Sequence, residues 1–200
     1  MGMSAGNWVK SGINGSAKEC KVSSLKKSFV TAILVVSVLA MFTAVAGATT
    51  HYVNPGDSIQ SAVNAANPGD IIIVRDGTYT ENVDVNKRLT VRSENGSALT
   101  TVRAASTDEH VFHVTADYVN ITGFTVENAT KLYKAGINLD SNVDHCNVSD
   151  NKASGNYFGI YLYQSSHNTL SNNTANLNTY YGITIRLSSN YNTLTNNTAN

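Results

Sequence analysis

The residues best placed for chemistry are two tyrosines, Tyr161 and Tyr163, which a repeat in the sequence brings beside Asp140 and Arg186. Tyrosine rings offer flat apolar faces, and an aspartate with an arginine offers charged hydrogen-bond partners. That combination suits the ring faces and hydroxyls of a sugar, so Asp140, Tyr161, Tyr163 and Arg186 form a candidate carbohydrate-binding patch. A plainer reading of the same residues is a cation–π rung of Arg186 over Tyr163 that only supports the fold.

Other reactive side chains are sparse. His110 and His113 are the closest histidine pair, and residues three apart on a strand point to opposite faces, so they are not expected to converge on a metal. The soft copper ligands are poorly supplied, because Met1, Met3 and Met41 all lie before residue 49. Cys146 stands alone after the apolar run and reads as a small buried hydrophobe, while Cys20 precedes that run, so no disulfide is expected in the mature domain. The residues therefore point to no catalytic group, no metal site and no cofactor.

The elements that must position the patch come from a repeat. Gly136-Ile137-Asn138-Leu139, Gly159-Ile160-Tyr161-Leu162 and Gly182-Ile183-Thr184-Ile185 are offset by 23 residues each time. His145 to Asn151, His167 to Asn173 and Tyr191 to Asn197 keep step, at offsets of 22 and 24. A fixed period in this range marks a solenoid, and short β-branched runs of alternating aliphatic and polar residues make it a β-solenoid. Alternation turns Ile137, Ile160 and Ile183, with Leu139, Leu162 and Ile185, toward the core. Asn138, Tyr161 and Thr184 form one outward column and Asp140, Tyr163 and Arg186 the next, with the two tyrosines expected to be exposed.

Asparagine supplies 15 of the last 63 residues, and Asn151, Asn173 and Asn197 recur at one point of successive coils. Asparagine tolerates left-handed backbone, and stacked amides hydrogen-bond along an axis, so these three read as a ladder. An open solenoid end needs a cover. A short helix over Ser58 to Ala66, capped by Asp57, presents Ile59, Ala62, Val63 and Ala66 on one face and serves as that cap. Gly77 and Tyr79 read as the next turn.

The first 48 residues differ in kind. Lys26-Lys27 precede an apolar run from Phe29 to Phe42, followed by small residues around Ala44, Ala46 and Ala48. This is the layout of a signal peptide or, if uncleaved, of a membrane anchor. Either way residues 49–200 are placed outside the cytoplasm, with contact to the membrane only through the N-terminal segment. Of 14 basic and 14 acidic residues, five basic and one acidic precede the run, so the rest carries about −4. That sign gives no reason to expect nucleic acid. The last repeat stops mid-coil at Ala199-Asn200, which reads as truncation.

Asp57-Ser58-Ile59-Gln60-Ser61-Ala62-Val63, Pro68-Gly69-Asp70 and Gly77-Thr78-Tyr79-Thr80-Glu81-Asn82-Val83 together resemble the N-terminal signature of the pectin-lyase-like β-helix superfamily. The later Gly-Ile-x-Leu and Asn-x-Leu-x-x-Asn repeats resemble its NosD-type branch, abundant among cell-surface proteins of methanogenic archaea. The likeness runs from about residue 51 to the end. It implies an all-β, right-handed, single-stranded parallel β-helix with a short N-terminal capping helix.

A fold shared by lyases, hydrolases, esterases, adhesins and accessory proteins does not choose a function. The Tyr-Gln-Asp-Thr segment of pectin methylesterases is absent, as are the Asn-Thr-Asp, Asp-Asp, Gly-His-Gly and Arg-Ile-Lys motifs of polygalacturonases. Val143-Asp144-His145-Cys146 is similar to the Trp-Ile-Asp-His stretch of pectate lyases, without its tryptophan and without acidic residues clustered beside an arginine. The expectation is a non-catalytic cell-surface protein that binds polysaccharide or envelope components. The alternatives are a pectate-lyase-like enzyme and a NosD-like copper accessory. After residue 48, N-glycosylation sequons stand at Asn95, Asn120, Asn128, Asn147, Asn172 and Asn196.

Overall fold

The computed structural model describes residues 47–200. The leader expected over residues 1–48 lies almost wholly outside the described residues. Among the described residues no helix is long and apolar enough to cross a membrane.

The chain winds in turn through three sheets, and every strand pairing is parallel. The seven-stranded sheet begins with Thr50–Val53 and Ile71–Val74, the six-stranded sheet with Gly77–Thr80, and the five-stranded sheet with Val83–Val85. Each later full coil adds one strand to each sheet, so the fold is the parallel β-solenoid that the period implies. Strands two to six residues long suffice because their edges are covered by the coils above and below.

Period-two alternation fills the interior. Ile72, Val91, Ile121, Val148 and Leu170 form one buried column, and Ile137, Leu139, Ile160 and Leu162 are fully buried on the five-stranded side. Ile183 and Ile185 continue those columns, in register with Ile160 and Leu162. Each fully buried side chain of these columns contributes about 1.5–3 kcal/mol by leaving water, while Ile183 is half-buried and Ile185, 37% exposed, contributes less. The six-stranded sheet narrows from Val102 and Val126 to Ala153 and Ala175, and its alanines face the glycines of the Gly-Ile repeat.

The helix α1, Ile59–Ala65, covers the first coil with Ile59 and Val63 buried. Its N-cap is Ser58, which accepts the Ser61 N–H, and not Asp57, whose carboxylate turns back to the Asn54 backbone and side-chain amides. Glu81, from the following coil, completes the cap by accepting the Ile59 N–H at 2.7 Å, the Gln60 N–H at 3.1 Å and the Ser58 hydroxyl at 2.8 Å. Gly77–Thr80 is a strand and not a turn. Tyr79 is buried there, and its hydroxyl donates to the Arg75 and Val53 carbonyls.

Asparagines stack at all three corners. Asn151, Asn173 and Asn197 form the ladder expected between the seven- and six-stranded sheets. Asn156 with Asn178, and Asn168 with Asn192, form two more. In each ladder the side-chain oxygen accepts a backbone N–H from the coil before, and the side-chain nitrogen donates to a nearby carbonyl. Turn backbone that would otherwise be buried unpaired is satisfied in this way.

Candidate functional site

The Gly-Ile repeat carries an irregularity that builds the site. A Cβ on Gly136 would meet Val126 Cγ2 at 2.8 Å and the Asn156 amide at 2.9 Å, and one on Gly159 would collide with the Gly182 carbonyl. These glycines face the interior just before Ile137 and Ile160, which also face in. The residue before each glycine is thereby turned outward. Phe158 illustrates this: it is buried, yet its ring lies 4.8 Å from Tyr157, 4.9 Å from Tyr161 and 5.9 Å from Tyr180, on the outer surface.

Around that ring stands an aromatic cluster. Tyr157 and Tyr180 stack at 5.4 Å with planes 7° apart, Tyr181 lies 6.2 Å from Phe158, and Tyr133 meets Tyr157 edge-on at 6.0 Å. Tyr161 and Tyr163, 6.0 Å apart, extend the cluster across the five-stranded sheet. Sequence reasoning reached only Tyr161 and Tyr163. The signal for the others is the aromatic pair directly before the repeat glycine, in Tyr157-Phe158-Gly159 and Tyr180-Tyr181-Gly182.

Strand register places the expected columns side by side. Asp84, His113, Asn138, Tyr161 and Thr184 are successive partners, and Tyr163 pairs with Arg186 on the strands where Asp140 ends the preceding rung. The surface differs from expectation in exposure: Tyr161 and Tyr163 are half-buried, and Asn138 and Thr184 are only 4% and 7% exposed. The rings lean over the column, which bare alternation does not convey. Among the described residues the cation–π pair is Arg75 over Tyr52. Arg186 acts instead on the Tyr161 hydroxyl, opposing the burial that raises its pKa.

A depression of about 370 Å³ crosses three coils here, lined among others by His113, Tyr133, Asn138, Asp140, Tyr161 and Tyr163. A second, of about 420 Å³, lies over Tyr180, Tyr181, Thr184 and Arg186. The Thr184 hydroxyl is buried there, and among the described residues it has no hydrogen-bond partner. Such an atom loses its water without replacement, so it favours a ligand that supplies the missing bond.

The polar end centres on His113, whose Nδ1 lies 3.2 Å from Asp84 and whose Nε2 lies 3.1 Å from Asp140. A neutral ring has one N–H and donates to one of these carboxylates at a time. Burial would raise the Asp140 pKa, but the Ser141 N–H and His113 outweigh it and hold the carboxyl below its usual value. His110 does approach His113, with ring centroids 5.4 Å apart, because it precedes the strand Phe112–Val114 and is not held to its alternation. Burial, with the nearby His113 and Lys134, pushes the His110 pKa down to about 4. Its neutral Nδ1 accepts the Ala135 N–H at 2.9 Å.

The remaining candidates do not assemble a metal site. Cys146 is buried, its thiol is pushed up to about 11 by burial, and its sulfur accepts the Val119 N–H. His145 and His167 stack at 5.3 Å between Tyr118 and Tyr191 on the opposite corner. Among the described residues no group of three or more His, Cys, Asp or Glu is arranged to hold a metal ion. With the thiol protonated and no methionine in this part of the chain, the donors present do not fit copper.

Comparison with known proteins agrees with this architecture. The model of the family described as periplasmic copper-binding protein (NosD) matches residues 63–200. A cell surface glycoprotein of Methanothermus fervidus is 39% identical over 95 residues, which cover 46% of this chain and 15% of that protein. The chain thus spans a small part of that relative's length. No solved structure matches. Because the family match begins inside the capping helix and takes in the stacked glycines, the asparagine ladders and the aromatic face, the chain belongs to the NosD family.

Proposed function

We propose that this chain is part of a non-catalytic, extracytoplasmic surface protein whose five-stranded face binds glycan. The family description and the cell-surface relative both support the location. The observation that carries the binding reading is the composition of the face. Tyr161, Tyr163, Tyr180 and Tyr181 provide ring faces, while Asp140 and Arg186 provide charged partners, beside a buried Thr184 hydroxyl that lacks a bond. A sugar has an apolar ring face and a rim of hydroxyls, and it answers both halves of that surface. The mildly acidic charge of the domain supports neither nucleic acid nor an anionic membrane as partner.

Retention of the parent, Tyr161→Ala and Tyr163→Ala on immobilised acidic and neutral polysaccharides tests this reading, with melting temperature checked in parallel. The expected result is a loss of about tenfold or more in affinity, roughly 1.4 kcal/mol, at unchanged stability. Equal retention of parent and variants removes the patch.

A further inference from the structure

We propose that Asn95, Asn172 and Asn196 are N-glycosylation sites and form one sugar-bearing ridge along the corner between the seven- and six-stranded sheets. The six sequons after residue 48 read alike in sequence, and the fold separates them. Asn95, Asn172 and Asn196 are exposed and follow the strands Thr90–Ser93, Thr169–Ser171 and Thr193–Thr195, so they share one corner; the Asn95 and Asn172 amides donate to the Asp76 and Asp150 carboxylates, but at the surface, where water can replace those bonds. Asn120 and Asn147 lie within strands and are half-buried, and their amides donate to Thr90 and Ser149. Asn128 occupies a different corner, with its amide given to the Ala104 carbonyl.

The turn does not by itself demand these sequons. Asn172 and Asn196 adopt φ of 55°, a left-handed conformation that Gly123 and Asp150 hold equally at the same corner. Two residues after Asp150 stands Lys152, which pairs with Thr174 in the next coil, so threonine is not required there either. Where asparagine takes the corner, at 172 and 196, threonine stands two residues on in both coils. Asn95-Gly96-Ser97 reaches the same corner through a longer loop.

Modification needs a lipid-phosphate-linked oligosaccharide as donor. The asparagine Nδ2 bonds to the anomeric carbon, the anomeric C–O bond to phosphate breaks, the lipid phosphate leaves with the bonding pair, and an amide proton passes to the transferase. Only an amide on the outside can reach such an enzyme once the coil has formed. In a three-sided coil this corner lies across from the five-stranded sheet, so sugars on the ridge leave the aromatic face open.

The test is site-by-site glycopeptide mass spectrometry on the full chain, made in a host that glycosylates a co-expressed sequon reporter. Sugar mass is expected at Asn95, Asn172 and Asn196, with occupancy at Asn120, Asn128 and Asn147 at least about tenfold lower. Thr174→Val, which removes the acceptor-sequon hydroxyl and keeps the shape, should abolish sugar at Asn172 alone. A ridge left bare while the reporter is modified overturns the proposal. So does equal occupancy of all six sites, or any pattern in which the strand sites exceed the ridge.

Discussion

The Asn173 side chain accepts the Asn151 backbone N–H at 3.1 Å and donates to the Val148 carbonyl at 2.8 Å, closing the gap between two coils with one amide. Asn197 repeats both bonds one coil later, toward Asn173 and Leu170. Removing the side chain leaves a buried donor and a buried acceptor unpaired, each at about 1–3 kcal/mol. Asn173→Ala should therefore destabilise by roughly 2–4 kcal/mol. Its exposed neighbour Asn172→Ala loses only a surface bond to Asp150 and asparagine's tolerance of a left-handed φ of 55°, and should cost no more than about 1 kcal/mol. Denaturant melts of the two variants give the comparison, and similar midpoints would remove the ladder from the account of stability.

Gly159 and Gly155 test two different reasons for glycine. A Cβ on Gly159 has no room against the Gly182 carbonyl and the Asn178 amide, although its backbone is ordinary. Gly155 has open space but φ of 68°. Gly159→Ala should cost at least about 1–3 kcal/mol by overpacking, while Gly155→Ala should cost only about 1–2 kcal/mol of left-handed strain. Gly159→Ala should also disturb the near-ultraviolet circular dichroism of the tyrosine cluster, because it pushes Phe158 from its seat, and Gly155→Ala should leave that spectrum unchanged.

His110 gives a pH signature. Its folded pKa of about 4 lies below the ordinary value of 6.5. Between those values the unfolded chain holds a proton that the folded chain does not. Its contribution is therefore complete above about pH 6.5, falls as pH drops toward 4, and is flat below that. His110→Asn keeps an acceptor for the Ala135 N–H and removes the titration. Melting temperature against pH should be flatter for this variant between 6.5 and 4, and an unchanged slope would assign the titration elsewhere.

Glu81 joins the capping helix to the second coil through three hydrogen bonds to Ser58, Ile59 and Gln60. Bonds to a carboxylate are the stronger kind, about 1.5–3 kcal/mol each when buried and less at this half-buried site. Glu81→Ala should destabilise by about 2 kcal/mol. It should also raise amide hydrogen exchange over Ile59–Ala65 before the later coils are affected. Uniform exchange along the whole chain would show that the cap is not a separate unit.

What the sequence determined by itself is the stacking. The 23-residue offset of Gly136, Gly159 and Gly182 sets the coil length, and alternation sets which residues of each strand face in. Both are local properties of a repeated strand, so Ile137, Ile160 and Asn173 were readable without coordinates, as was the alignment of Tyr161 with Thr184. The tertiary structure decided what happens at the corners. Left-handed residues such as His145, Asp150 and Asn172 rotate the chain there by amounts that no period records. Residues at or beside the corners are also released from strand alternation, so Phe158 turns outward beside an inward glycine, His110 meets His113, and Ser58 rather than Asp57 caps the helix. Asn156 and Asn168 gained their ladders in the same way, since each amide meets its partners only when coils 22 to 30 residues apart in sequence are laid against each other.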